Sequence, residues 1–301
     1  MRTRRPGQPG AGGTKRNSGG RPERSGKPGR SGSGRPATEH GGGRRQPERR
    51  DRPPRRDDGN DLLYGRNAVR EALRAGRRRF IRLLVNEGAA DSQRLTEIVT
   101  LARQRDVGIE TVSRDTLDAK TPGQHQGVVL EASTYPYAVG DELRELAEDQ
   151  AILLALDGIA DPQNLGTLLR TAEATGVRLI VIPSDRAAQV TPAVVNASAG
   201  AVEHLHVAQE VNLTRWLGRA KDAGFWIVGM DGEDAEPLFD TSMRPPVVLV
   251  VGSEGSGIRR LVRETCDIIV ALPMLGRIES LNAAVAGSIG LYEIVRDAEE
   301  D

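Results

Sequence analysis

Three short segments of this chain place hydrogen-bonding side chains among glycines at spacings suited to holding a ligand. The first runs Asp157-Gly158-Ile159-Ala160-Asp161-Pro162-Gln163-Asn164-Leu165-Gly166 and leads into a helical pattern carrying Arg170. The second is Gly252-Ser253-Glu254-Gly255-Ser256-Gly257, and the third is Pro273-Met274-Leu275-Gly276-Arg277-Ile278-Glu279-Ser280-Leu281-Asn282. Amides, hydroxyls, one carboxylate and one guanidinium can orient a polar substrate and hold an anionic group. The glycines of the second segment let backbone come close to a ligand. A polyphosphate reading of that loop fails, because a P-loop ends in Gly-Lys-Ser/Thr whereas here Gly-Ile-Arg follows and Glu254 would repel phosphate. The dinucleotide fingerprint fails as well: the loop does not follow the first strand, and its glycines are in the wrong order. His125, His204 and His206 have no cysteine or carboxylate at ligand spacing, so they read as structural histidines and no metal is expected.

Each segment follows an apolar run. Strands are expected at Ala151–Leu156, Leu179–Pro183, Phe225–Met230, Val247–Val251 and Ile268–Leu272. Helical patterns alternate with them near Leu165–Thr175, Pro192–Ala199, Asn212–Ala223, Ile258–Thr265 and Leu281–Arg296. Uniformly apolar strands separated by helices imply a mostly parallel sheet with helices on both faces. Ligands bind such sheets beyond the carboxyl ends of the strands, where the three segments fall. Asn164 sits near a helix N-cap, and Arg170 is expected to lean back toward it. Trp216 and Trp226 read as core.

Residues 61–133 form a smaller α/β unit. A helix is expected over 62–75 with Asn67 able to cap it, then a strand at Phe80–Val85, a helix over 91–105 and strands at Val107–Val112 and Val128–Ala132. Residues 134–150 read as a linker ending in a polar helix or turn, and 151–301 as the second domain. Arg74, Arg77, Arg78, Arg79 and Arg82 form the densest basic cluster in this part of the chain.

The 301-residue chain is neutral overall, with 42 basic and 42 acidic residues. That average hides an asymmetry: residues 1–60 hold 17 Lys and Arg against 6 Asp and Glu, leaving 25 against 36 beyond them. The same sixty residues contain 14 Gly and 8 Pro and no Leu, Ile or Val, so they are expected to be a disordered basic tail suited to phosphate contact. Aromatics make up 3% of the chain, which argues against a base-stacking platform. Cys266 is the single cysteine, and no apolar run approaches membrane-spanning length or resembles a secretory signal. The expected location is therefore cytoplasmic.

Taken together, the three segments resemble the three motifs of the SpoU (TrmH-like) RNA methyltransferases. These are Asp-x-x-x-Asp-Pro-x-Asn-x-Gly-x-x-x-Arg (Asp157 to Arg170), Gly-Ser-Glu-Gly-x-Gly (252–257) and Leu-Pro-Met-x-Gly-x-x-x-Ser-Leu-Asn (272–282). Tyr64-Gly65-Arg66-Asn67-Ala68-Val69-x-Glu71-Ala72-Leu73 and His125-Gln126-Gly127 resemble the accessory domain of the RlmB branch, which modifies a guanosine ribose in large-subunit ribosomal RNA. The likeness covers roughly 62–297; Ala283-Ala284 departs from a common Val-Ser, and the basic tail is not a family feature. The resemblance implies a C-terminal trefoil knot of the SPOUT type, a homodimer, structured RNA as partner and S-adenosyl-L-methionine as cofactor. It places Asn164, Arg170, Glu254, Ser280 and Asn282 in the active site, and the cofactor near Gly252, Leu272, Met274 and Leu281. A guanidinium has a pKa above ~12, so Arg170 is better suited to holding the phosphate beside the target ribose than to removing a proton. With an acidic body, the RNA grip is expected to come from Arg74, Arg77, Arg78, Arg79 and Arg82.

Overall fold

The computed structural model describes residues 59–88, 92–139, 142–232 and 235–299; nearly all of the expected basic tail lies outside the described residues. The chain opens with β1 (Asn60–Tyr64), α1 (Arg66–Ala75), β2 (Phe80–Asn86), α2 (Gln93–Gln104), β3 (Gly108–Val112), α3 (Arg114–Lys120) and β4 (Val128–Ser133). These strands form a four-stranded sheet in the order β1-β4-β2-β3, with β4 antiparallel to both neighbours and β2 parallel to β3. The expected helix over 62–75 is thus a strand followed by a helix. Gly65 sits at φ 88° and ends the strand. A side chain there would be strained, and its Cβ would also lie 2.8 Å from Asn196 Nδ2. The helix begins at Arg66 with no side-chain cap, so Asn67 does not cap it. Ala68, Val69, Ala72 and Leu73 make its buried face.

Residues 134–150 are stitched to the body. Tyr135 is buried, Ala138 N–H donates to Val207 O at 2.8 Å, and α4 (Leu143–Glu148) buries Leu143 and Ala147.

The larger sheet contains β5 (Ile152–Asp157), β6 (Leu179–Pro183), β7 (Val207–Glu210), β8 (Trp226–Met230), β9 (Glu236–Pro237), β10 (Val247–Gly252) and β11 (Ile268–Ala271). Between and after them come α5 (Pro162–Ala174), α6 (Pro192–Ala197), α7 (Leu213–Asp222), α8 (Arg260–Arg263) and α9 (Ala283–Glu299). The strand order is β7-β6-β5-β10-β8-β11-β9, and every neighbouring pair is parallel. The expected mostly parallel α/β architecture, with a small α/β unit ahead of it, is therefore present.

Period-two alternation explains why helices cover both faces. Leu154 and Leu156 of β5 and Val247, Leu249 and Val251 of β10 pack in one core, with residues of α5, α6 and α9. Leu153, Ala155, Val248 and Val250 point the other way, into a second core with α4, α7 and α8. Trp216 is fully buried there, whereas Trp226 is half-buried. β7 and β9 were not expected: Val-Ala-Gln-Glu is too polar to read as a strand, and β9 is two residues long.

Candidate active site

β5 and β10 are central neighbours, and their last residues, Asp157 and Gly252, are register partners. The first two segments therefore leave the sheet side by side. Pro162 opens α5 and Asp161 caps it, its Oδ2 accepting the Asn164 N–H at 3.1 Å. Asn164 is thus not the cap, and its side chain is free for other work.

The second segment is a closed hairpin. Ser253 N–H donates to Gly257 O and Gly257 N–H to Ser253 O, both at 3.0 Å. Gly252 is required by that closure, since a Cβ would lie 2.2 Å from the Gly257 carbonyl carbon. Two carboxylates hold the foot of the loop. Buried Asp157 accepts from Arg259 N–H at 2.7 Å and from its Nε at 2.6 Å; Asp231 accepts from Ile258 N–H at 3.2 Å and pairs with Arg263. Sequence reading did not assign these positioning roles; Asp157 opens the first motif and Arg259 lies just past the second, which was the available signal.

So anchored, the hairpin presents Glu254 to the other two segments. Asn164 Nδ2 donates to Glu254 Oε2 at 3.0 Å. Asn282 Nδ2 donates to Asn164 Oδ1 at 2.9 Å and to Glu254 Oε1 at 3.4 Å. The Asn282 Oδ1 accepts the Ala284 and Val285 N–H groups at 2.9 and 3.2 Å, capping α9. Three loops far apart in sequence thus meet in one exposed cluster at the carboxyl end of the sheet. Glu254 has no cation partner among the described residues, so its carboxylate can accept a donor or sit beside a cationic group.

The remaining residues of the expected site take no part in these hydrogen bonds. Ser280 is exposed and makes no hydrogen bond among the described residues. Arg170, six residues beyond Asn164, lies about 120° around the helix from it. It lines a polar groove with Asn67, Arg70, Glu71, Arg94 and Glu173, without a hydrogen bond or ion pair among the described residues. Leu272 and Met274 are half-buried, and Leu281 is 37% exposed. Among the described residues, the backbone groups of 272–281 make no hydrogen bond to the protein. Such a stretch of free amides and aliphatic side chains fits a nucleoside-type ligand that needs no charged partner.

The basic cluster departs furthest from its expected role. Arg78 is buried: its Nε and Nη2 donate to Glu203, and its Nη1 donates to Asp61 at 2.7 Å and to Ser133 O at 2.9 Å. Burial alone would pull this guanidinium down, but Glu203 and Asp61 outweigh it and hold it above its ordinary value. Burial pushes Asp61 up, against the pull of Arg78. Arg77 donates to Leu205 O and to Tyr135 Oη. Neither Arg77 nor Arg78 is available to a phosphate; both join the smaller unit to the larger. Arg74 pairs with Glu71 and Glu97, and Arg82 with Glu110 and Glu131, all at the surface. The Arg79 side chain is exposed and without a partner among the described residues.

Two of the three histidines, His125 and His204, have ordinary partners. His125 accepts Gly127 N–H at Nδ1 (2.9 Å) and so donates from Nε2 to Asp118 (3.0 Å). His204 Nε2 meets Glu71 at 3.0 Å. The Arg66 and His125-Gln126-Gly127 motifs lock together, Arg66 N–H donating to Gln126 Oε1 at 3.0 Å and its Nε to Gln126 O at 3.1 Å.

Comparison with known proteins settles the family. A Bacillus subtilis protein named as a TrmH family tRNA/rRNA methyltransferase, YacO, is 42% identical over 240 residues, covering 79% of this chain and 96% of its own. The chain belongs to the SpoU/TrmH family of RNA methyltransferases. The model of the SpoU rRNA methylase family matches residues 151–292, and that of the RNA 2′-O ribose methyltransferase substrate-binding domain matches 62–138. Among solved SpoU-type structures, AviRb from Streptomyces viridochromogenes in complex with AdoMet has a TM-score of 0.68 at 26% identity, covering 81% of this chain and 92% of that one. A structure described as an RNA 2′-O ribose methyltransferase has a TM-score of 0.66 at 25% identity, covering 79% and 89%. The three segments that carry this family's motifs are the three that supply Asn164, Glu254 and Asn282.

Proposed function

We propose that the chain transfers a methyl group from S-adenosyl-L-methionine to the 2′-hydroxyl of a guanosine ribose in large-subunit ribosomal RNA. The observation that carries this reading is the Asn164–Glu254–Asn282 cluster, which ties the three motif loops together at the carboxyl end of the sheet. Gly252, Leu272, Met274 and Leu281 hold the cofactor's nucleoside through backbone groups and aliphatic contact. The bound cofactor supplies an electrophilic methyl sulfonium; the protein supplies position and electrostatics. Asn164, Glu254 and Asn282 form a preorganised set that orients donors of the substrate or cofactor. Arg170 holds the phosphate beside the target ribose, and Ser280 lines the same site from the third loop.

Arg170 and the cluster lie on different faces of α5, which favours a site completed by a second copy of the chain. An apolar strip on α9 supports such a homodimer: Val285 and Tyr292 are 45% and 57% exposed and line a groove with Thr167 and Ile289. The C-terminal trefoil knot belongs to the same reading; β11 lies between β8 and β9, two strands that precede it in the chain. Residues 61–133 serve as the RNA-binding unit, with the smaller unit's Arg79 and the exposed, paired Arg74 and Arg82 as its surface cations. The cytoplasm remains the expected location; among the described residues, no helix is long and apolar enough to cross a membrane.

The test is transfer of labelled methyl from S-adenosyl-L-methionine to total RNA, followed by ribose mapping. Label in a large-subunit ribosomal guanosine is expected; label confined to transfer RNA refutes the ribosomal assignment. Arg170→Ala should abolish transfer while calorimetry shows cofactor binding within about twofold of wild type, since the guanidinium acts on the substrate side.

A further inference from the structure

The groove that contains Arg170 is built by both units of the fold, and the three motifs do not account for it. Its walls are α1 and α2 on one side and α5 with the Ser198–His204 turn on the other, and its volume is about 630 Å³. Four arginines face it, but they are not equivalent. Arg70 and Arg74 are neutralised by Glu71 and Glu97. Arg94, on α2, and Arg170, on α5, are exposed and have no hydrogen bond or ion pair among the described residues. Glu173 also lines the groove and has no cation partner among the described residues.

The walls are fixed relative to each other. His204 Nε2 meets Glu71 at 3.0 Å, Asn196 Nδ2 donates to Tyr64 O at 3.0 Å, and Arg78 pairs with Glu203 across the same joint. Two uncompensated guanidinium groups held on opposite walls of a rigid polar groove form a site for an extended anion. A compact anion needs only one wall. A chain of phosphates can reach both.

We infer that this groove binds the sugar–phosphate backbone of the substrate RNA, with Arg94 as a phosphate contact outside the catalytic motifs. The inference rests on the reading of Arg170 as a phosphate-holding residue and extends the bound strand from it toward α2. Glu173 opposes the anion and limits how tightly the strand is held. Contacts of this kind add affinity and salt dependence, and they carry no sequence information.

The experiment is binding of the full-length protein to a labelled RNA hairpin, followed by fluorescence anisotropy across a potassium chloride series. Arg94→Ala should weaken binding roughly fivefold to tenfold and lower the slope of log affinity against log salt by about 0.7 to 1. Glu173→Gln should strengthen binding by about twofold to threefold through loss of one repulsive charge. Arg103→Ala, on the same helix but outside the groove, should leave affinity unchanged, and melting curves check that all three variants fold. The inference is overturned if Arg94→Ala binds within twofold of wild type at an unchanged slope, or if Arg103→Ala weakens binding equally. Because the readout is binding, it is separable from the catalytic reading. Loss of affinity in Arg94→Ala supports the groove even if the wild-type protein transfers no methyl group, and that second result alone would sink the reaction proposed above.

Discussion

Two polar clusters in this protein stand in opposite relations to solvent. In the joint between the two units, Arg78 and Glu203 are buried and Asp61 is half-buried, and each nitrogen of the Arg78 guanidinium has an internal acceptor. At the carboxyl end of the larger sheet, Asn164, Glu254 and Asn282 are only partly covered, and the single carboxylate has no counter-ion among the described residues. The first cluster has spent its hydrogen-bonding capacity on the fold. The second holds its members in place through one another and keeps acceptor capacity for a ligand. Density of charge in the sequence is therefore a poor guide to a site; what matters is whether the fold leaves the charge a valence to use.

The largest effect should come from breaking the first cluster. Arg78→Ala leaves Glu203 buried without its cation, which should cost about 3–5 kcal/mol in chemical denaturation. Arg78→Met combined with Glu203→Gln should recover part of that loss, because a mostly neutral pair leaves less charge buried. A single-variant cost below about 1 kcal/mol would show that water reaches the joint and that the two clusters do not differ in their relation to solvent.

The second cluster should respond in activity more than in stability. Asn282→Asp keeps an oxygen for the Ala284 and Val285 N–H groups, so α9 stays capped and stability should change by less than about 1 kcal/mol. It loses the donor to Asn164 and Glu254 and sets two carboxylates against each other. Methyl transfer should fall roughly 100-fold through misplacement of the motif loops. Asn282→Ala removes both roles, and calorimetric unfolding should show an additional cost of about 1 kcal/mol from the lost cap. Equal activity in wild type and Asn282→Asp would mean that the hydrogen bonds to Glu254 are incidental.

The site was legible to the extent that it depends on chain order. A parallel sheet sends its loops to one edge, so apolar runs followed by Asp157, Gly252 and Pro273 were enough to bring Asn164, Glu254 and Asn282 together. Helix phase was legible in the spacing but runs against the expected approach of the two side chains. Asn164 and Arg170 share a motif, yet six residues at about 100° each set them on faces of α5 about 120° apart. The arginine run did not reveal its fate: Asp61 and Glu203, the partners of Arg78, lie 17 and 125 residues away. β7 escaped notice because it is short and half polar, and it gains strand character only by pairing with β6.

A smaller effect is expected where charge stays at the surface. Arg82 pairs with Glu110 and Glu131 across neighbouring strands, within reach of solvent. Arg82→Ala should change stability by no more than about 1 kcal/mol, and raised salt should erase most of that difference. A loss as large as that of Arg78→Ala would place Arg82 in the same class and remove the distinction between exposed and buried arginines.

The smallest effect is a null result that separates the two regions. Cys266 lies just after α8, its Sγ donating to Val262 O at 3.4 Å, and burial pushes the thiol up to about 12. Since only the thiolate is nucleophilic, on the order of one molecule in ten thousand is reactive at pH 8 in the native fold. Iodoacetamide should therefore leave Cys266 unmodified in native protein and label it fully in urea, as mass spectrometry would show. The informative case is Arg78→Ala under native conditions. If the Arg78 network secures only the joint, that variant loosens between its two units while Cys266, beneath the motif loops, stays protected. Rapid native-state labelling would mean that the joint and the floor of the site open as one cooperative unit. The two clusters would then differ in exposure while sharing a single structural fate.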